Sequence, residues 1–257
     1  MRCTILGSGT STGVPSVACE CPTCTSTDPR DTRLRTSLLV QDESTTIVVD
    51  TSSDFRQQML QHRVLDIDAV LFTHHHFDHI GGFDDIRPYN FRSQRPMPIY
   101  GMQETLSVLR STFPYAFGDV VSTGASIPSI TTHVIDDEPF EIGTIPVIPI
   151  PMRHGASMRV NGYRFGNLAY CTDTNYIADE VLDRLQGLET LIIDGLRWEA
   201  HPTHFTIGQA LEVINHLRPR RAILTHIAHQ VLHARDMQLL PAGVEFAVDG
   251  MVIDATV

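Results

Sequence analysis

Four apolar segments of this sequence are each followed closely by histidine or aspartate. The runs Ala69–Phe72, Pro146–Ile150, Leu168–Cys171 and Ala222–Leu224 predict buried strands. The side chains that come after them are His74, His76, Asp78, His79, His154, Asp173 and His226. Loops at strand ends can converge while the sheet fixes their roots, so these side chains are expected to meet in one pocket.

The segment Thr73–His79 has the form T-H-x-H-x-D-H. Imidazole and carboxylate groups suit Zn, Mn or Fe, and about four such ligands complete one site. His74 and His76 could therefore grip one ion, while Asp78 and His79 grip a second. The alternative is a solvated histidine-rich turn, which the other strand-end ligands disfavour.

The remaining apolar pattern alternates strands with helices. Ser37–Val40, Thr46–Val49 and Leu191–Ile193 predict further strands, and apolar residues recur at helical spacing within 207–217 and, more briefly, within 177–185. Sheets covered by helices follow from this alternation, which is an α/β arrangement. No repeat, low-complexity tract or linker divides the chain, so residues 1–257 are predicted to form one domain.

Charge and composition limit the class of partner. The formal charge is -11, which disfavours long nucleic acids because proteins that follow a phosphate backbone need clustered Lys and Arg. A small substrate is expected, and bound cations could still attract a phosphate anion. Neither a signal peptide pattern nor a membrane-spanning apolar run is present, which predicts a cytoplasmic protein.

Three of the five cysteines are crowded into the segment 19–24. In a cytosolic protein the crowding of Cys19, Cys21 and Cys24 favours metal binding over disulfides. Three thiolates leave tetrahedral zinc one ligand short, and His229 could supply the fourth. Free reactive thiols or a redox switch are the alternative, while Cys3 and Cys171 are expected in the core.

The T-H-x-H-x-D-H segment, together with the later His154, Asp173 and His226, resembles the metallo-β-lactamase fold superfamily. The resemblance implies a four-layer αββα sandwich. It also implies two metal sites that share Asp173 as a bridging ligand. The first metal is assigned His74, His76 and His154, and the second Asp78, His79 and His226.

Finer features resemble the phosphodiesterase family of the carbon-phosphorus lyase pathway, which opens five-membered cyclic ribose phosphates. They are the opening segment Leu6–Pro15, the C-x-C-x-x-C of Cys19 to Cys24, and the T-H-I-x-H-Q of Thr225–Gln230. The resemblance implies a structural zinc held by the three cysteines and His229, and a homodimer. The Gly-rich opening matches neither a P-loop nor G-x-G-x-x-G, and its contact with substrate is left open.

Two residues outside the metal set resemble functional positions of the family. Asp50 resembles a residue that orients the active-site loops, and His204 one that can protonate a departing oxygen. A helix N-cap is the alternative role for the stretch around His204, with Thr206 the better cap. Asp78 is assigned to catalysis as well as to the second metal, and the role of His201 is undecided.

These assignments predict a binuclear hydrolase acting on small ribose or nucleotide phosphodiesters, including cyclic ones. A water shared by two cations has a lowered pKa, so the predicted nucleophile is a metal-bridging hydroxide. A thioesterase or lactonase of the same fold is the first alternative. A tRNA 3′-processing nuclease is disfavoured because Gly101–His133 contains a single basic residue, Arg110, and a non-catalytic metal-binding module is disfavoured by the complete ligand set.

Overall fold

A computed structural model describes residues 1–118 and 126–256. Its strands are β1 (Arg2–Gly7), β2 (Ser37–Gln41), β3 (Thr46–Val49), β4 (Ala69–Leu71), β5 (Met97–Gly101), β6 (Ile130–Val134), β7 (Phe140–Ile142), β8 (Ile145–His154), β9 (Met158–Phe165), β10 (Leu168–Cys171), β11 (Thr190–Asp194), β12 (Arg221–Thr225), β13 (Val244–Phe246) and β14 (Val252–Asp254). Its α-helices are α1 (Phe55–His62), α2 (Phe77–Ile80), α3 (Arg87–Ser93), α4 (Gln103–Thr112), α5 (Asp179–Leu182), α6 (Ile207–Leu217) and α7 (His233–Asp236).

The strands form two sheets of seven. The first has the order β14-β1-β2-β3-β4-β5-β6 and the second the order β13-β12-β11-β10-β9-β8-β7. Strands β3 to β6 run parallel in the first sheet, and β10 to β13 run parallel in the second. The carboxyl ends of β4, β10 and β12, where the candidate residues follow, therefore belong to parallel parts of both sheets.

Side chains of β2 alternate between two apolar clusters, as the two-residue period of a strand requires. Leu38 and Val40 join a cluster that also contains Tyr170 of β10 in the opposite sheet. Leu39 packs in a second cluster with Phe55 of α1. On the far side α6 contacts β11 and β12. The layers are thus helix, sheet, sheet, helix, and the predicted αββα sandwich is confirmed.

The sequence predicts the bounds of some elements better than others. Strands β3 and β10 have the predicted bounds, but β8 extends to His154 because its backbone pairs with β9 as far as the partners His154 and Met158. His154 is therefore the last residue of a strand and not part of a loop. The helical pattern in 177–185 forms only α5 and a 3₁₀ turn, Asp183–Leu185. Among the described residues, none of the helices is long and apolar enough to cross a membrane.

Candidate metal centre

One end of the sandwich brings all seven predicted metal ligands together. One group contains His74, His76, His154 and Asp173, and the other contains Asp78, His79, Asp173 and His226. Within each group, one donor atom from every residue lies within 4.8 Å of the others. Asp173 is the member that the two groups share, which is the position that a bridging carboxylate would occupy.

Distances around Asp173 fit divalent ions. Its Oδ1 lies 3.3 Å from His79 Nε2, and its Oδ2 lies 3.3 Å from His226 Nε2 and 3.8 Å from His74 Nε2. These three buried nitrogens have no hydrogen-bond partner among the described residues. Ligands of one tetrahedral ion lie about 3.3 to 3.6 Å apart. The spacing and the missing hydrogen bonds are those of donors arranged around a cation.

The charges of the centre also favour a cation. Burial alone would lower the pKa of His79, but the carboxylates of Asp173, Asp78 and Asp50 raise it well above its usual value. At His154 the effect of burial prevails and lowers the pKa to about 4. A lowered pKa favours the neutral imidazole, which is the form that binds metals. Without an ion, His79 supplies the positive charge that the carboxylates require, and a divalent cation would replace it.

Asp50 supports His79, a member of the second group, on the ring nitrogen that faces away from Asp173. Its Oδ2 lies 2.7 Å from His79 Nδ1 and accepts a hydrogen bond from the Thr73 hydroxyl at 2.8 Å. Its Oδ1 accepts from the Thr73 backbone N–H at 2.8 Å. A carboxylate on the distal nitrogen fixes the ring orientation and tautomer of a ligating histidine. The contacts match the orienting role that the sequence predicts for Asp50.

The backbone at three of these positions is left-handed. Asp50, Asp173 and His226 have φ values of 64°, 55° and 57°. A residue with a β-carbon pays about 1 to 2 kcal/mol for this conformation. Each of the three comes within two residues of the end of a strand. Asp173 and His226 lie there among the candidate metal ligands, and Asp50 lies against His79.

His204 lies beside the metal groups and is held by Asp194. Its Nδ1 is 2.7 Å from Asp194 Oδ2, and its ring stacks on that of His226 at 4.5 Å. Burial lowers the pKa of His204, but the Asp194 carboxylate outweighs burial, and the net result is a pKa of about 9. The raised pKa favours the protonated imidazole, in which Nε2–H is available as a donor.

Asp194 is missed by the sequence prediction. It directly follows the predicted strand Leu191–Ile193, so the strand-end pattern that selects the other residues also marks it. It is fully buried, and its Oδ2 also accepts a hydrogen bond from the Thr174 N–H at 2.9 Å, beside Asp173. This carboxylate connects the loop that carries Asp173 to His204.

The stretch around His204 does supply a helix N-cap, and the cap is Thr206, as the sequence predicts, rather than His204. Thr206 caps α6, because its hydroxyl accepts a hydrogen bond from the Gln209 N–H while the Gln209 side chain accepts one from the Thr206 N–H. His204 is left free to face the centre. The His201 ring lies 5.2 Å from that of His204, and His201 Nδ1 contacts the Thr203 hydroxyl at 3.1 Å.

The crowded cysteines meet His229 in a separate cluster. Its Nδ1 lies 3.1 Å from Cys19 Sγ, 3.5 Å from Cys21 Sγ and 3.6 Å from Cys24 Sγ. A nitrogen and a sulfur bound to one tetrahedral zinc are separated by about 3.5 Å. The cysteines are free thiols, and the donor set fits zinc. Cys3 and Cys171 are buried in β1 and β10, as expected.

Metal analysis of protein purified without chelator is expected to show more than two equivalents, one of which resists mild chelation. A closed thiolate site holds zinc more firmly than an open His/Asp centre. His229→Ala should lower the melting temperature more than the activity per folded molecule. Absence of tightly held zinc, or rapid alkylation of Cys19 and Cys24 in the folded protein, would remove the structural-zinc assignment.

Comparisons with known proteins agree with the fold. The family model of the β-lactamase superfamily domain matches residues 45–227. A diphosphatase of the PhnP family, known from its crystal structure, is 37% identical, with a TM-score of 0.92 over 99% of this chain and 98% of that chain. A coenzyme PQQ synthesis protein B from Methylobacterium radiotolerans is 28% identical over 76% of this chain and 73% of its own length.

A longer relative is also similar over nearly the whole chain. The octanoyltransferase of Porphyromonas gingivalis is 39% identical over 98% of this chain, but the chain spans only 51% of that protein's length. The family model covers well over half of the present sequence. The chain therefore belongs to the β-lactamase superfamily and has the metallo-β-lactamase fold, which implies divalent metal ions.

Proposed function

We propose that this chain is a binuclear metal-dependent phosphodiesterase acting on small ribose or nucleotide phosphodiesters, including five-membered cyclic ones. The observation that carries the proposal is Asp173, whose buried carboxylate belongs to both metal groups, with the His204–Asp194 pair beside it. The similarity to a PhnP-family diphosphatase supports chemistry at phosphorus. A small substrate agrees with the charge of -11.

The proposed ligands divide the work of the centre. His74, His76 and His154 would hold the first ion, Asp78, His79 and His226 the second, and Asp173 both. When bound, the two ions would lower the pKa of a water molecule and neutralise charge on the phosphate oxygens. Asp78 belongs to the second site, and its Oδ2 lies 3.4 Å from His79 Nε2 and 3.7 Å from His226 Nε2. Its negative charge therefore also contributes to the electrostatic field at the centre.

His204 would act as the proton donor. Asp194 engages Nδ1, so the proton at Nε2 points away from that carboxylate and can be given to the oxygen that leaves phosphorus. An alkoxide leaves poorly without this proton. Asp194 keeps the ring oriented and protonated, in the way a buried carboxylate orients a catalytic histidine.

A substrate panel tests the proposal. Metal-loaded protein is expected to hydrolyse a cyclic ribose phosphodiester faster than a linear dialkyl diester, because ring strain is relieved as phosphorus becomes five-coordinate. The panel should include a bis-aryl phosphodiester, a diphosphate diester, a thioester and a lactone, with kcat/KM measured for each at matched metal content. A thioester or lactone that outpaces every phosphorus substrate would favour the thioesterase or lactonase alternative.

A further inference from the structure

The loop formed by residues 226–232, between β12 and α7, carries a ligand of each metal cluster. His226 belongs to the His/Asp centre and His229 to the thiol cluster. His226 and His229 are three residues apart, so their Cα atoms can be separated by at most about 11 Å. A shift of one histidine is therefore passed to the other unless the loop between them bends. The loop therefore needs a firm hold if the two clusters are to keep their geometry.

Arg33 fixes this loop by hydrogen bonds from the protein interior. Its side chain is fully buried, and Nη1 donates to the Ala228 carbonyl at 3.3 Å while Nη2 donates to the Val231 carbonyl at 3.0 Å. These carbonyls flank His229. Arg33 Nη2 also pairs with Asp31 Oδ1 at 3.0 Å, and that oxygen accepts the His233 N–H at 2.8 Å. A buried charge requires such partners, and here most of them belong to the loop.

The backbone of Arg33 also pairs with that of Val14, which joins the two ends of the segment that carries the cysteines. The Arg33 N–H donates to the Val14 carbonyl at 2.7 Å, and the Val14 N–H donates to the Arg33 carbonyl at 2.9 Å. Cys19, Cys21 and Cys24 lie between these two residues in the chain. Arg33 therefore joins the base of the thiol segment, through its backbone, to the histidine loop, through its side chain.

We propose that Arg33 is a positioning residue that couples the two metal clusters. A metal ion in the thiol cluster fixes His229, and the Arg33 guanidinium transmits this constraint along the loop to His226. Binding at one cluster then strengthens binding at the other, and the effect is reciprocal. The inference takes from the proposed function only that His226 binds metal, and Arg33 itself contacts neither metal nor substrate.

The chain supplies a matched control in Arg30. Arg30 pairs with Asp28 two residues before it, as Arg33 pairs with Asp31, but the Asp28–Arg30 pair lies at the surface. Cobalt(II) titration of chelator-treated protein is the measurement, because thiolate ligation gives a near-ultraviolet charge-transfer band that His/Asp ligation lacks. The variants are Cys21→Ser, Arg33→Met, Arg33→Lys, Arg30→Met and the double variant Cys21→Ser/Arg33→Met.

Cys21→Ser is expected to weaken cobalt binding at the His/Asp centre on the order of 10-fold, a typical coupling between two sites. Arg33→Met should weaken cobalt binding at the His/Asp centre by a similar factor when the thiol cluster is filled. In the double variant this binding should be no weaker than in either single variant. Arg30→Met should bind cobalt at the His/Asp centre with the affinity of the wild type. Unchanged affinity in Arg33→Met, or losses that simply add in the double variant, would overturn the coupling.

Arg33→Lys covers the case in which Arg33→Met does not fold, as judged by circular dichroism. Lysine keeps the charge beside Asp31 but lacks the fork that reaches both carbonyls, so a smaller loss is expected. Wild-type affinity in Arg33→Lys, with Arg33→Met unfolded, would count against the proposal. Failure of the proposed phosphodiesterase would appear separately, as absent turnover with the cobalt coupling intact.

Discussion

Asp173→Ala is expected to lower phosphodiester turnover by about 10³-fold or more and to weaken binding of both active-site metals. A single preorganised electrostatic contact is typically worth about 10² to 10³ in rate, and Asp173 would serve two ions at once. Its carboxylate approaches three histidine nitrogens at 3.3 to 3.8 Å. Metal content by mass spectrometry and kcat/KM on the cyclic diester are the two measurements.

His79→Ala provides the comparison for Asp173→Ala. His79 belongs to only one of the two groups, so its removal should deplete mainly one metal equivalent. Zinc proposed for the thiol cluster should stay bound in both variants, weakened by no more than the proposed coupling, and its retention would show that the protein is folded. An Asp173→Ala protein with both active-site metals and near-normal rates would refute the binuclear assignment.

His204→Ala should slow substrates with an alkoxide leaving group by about 10² to 10⁴, the usual worth of general acid catalysis. A bis-aryl diester should lose far less, because a phenolate departs without a proton. The Asp194 carboxylate, 2.7 Å from Nδ1, raises the pKa of His204 and so favours the protonated form that this role requires. The measurement is the ratio of alkyl to aryl rates in wild type and variant.

His201→Ala is the matched control for His204→Ala, because both histidines lie in the same loop with their rings 5.2 Å apart. It should leave the ratio of alkyl to aryl rates unchanged. Asp194→Asn should shift the ratio in the same direction as His204→Ala, since it removes the carboxylate that orients and charges the ring. Equal losses on all substrates in His204→Ala would reassign the residue to substrate positioning.

The sequence predicts which side chains come together at this end of the sandwich because they obey a local rule. Each follows or ends an apolar strand, and parallel strands in one fold deliver their carboxyl ends to one edge. Asp194 obeys the same rule after Leu191–Ile193, but it belongs to none of the motifs from which the metal ligands are assigned. The sequence also predicts the cap at Thr206, which depends on residues within one helical turn.

Other features lie beyond a local pattern. The extension of β8 to His154 depends on pairing with β9, whose residues include polar Asn161 and charged Arg159 and Arg164. The burial of Arg33 depends on carbonyls almost 200 residues away in the chain, at Ala228 and Val231. Nothing in the composition of either segment reveals these contacts, because they arise only when distant strands and loops pack together.

The left-handed backbone at Asp50, Asp173 and His226 has a consequence for directed evolution of this protein. Glycine adopts that conformation without strain, so mutations to glycine would relieve a local backbone cost of at most about 1 kcal/mol each. They would also remove the groups on which metal binding depends. A library screened for heat resistance alone would therefore reward the loss of function at these positions, and the screen must include turnover.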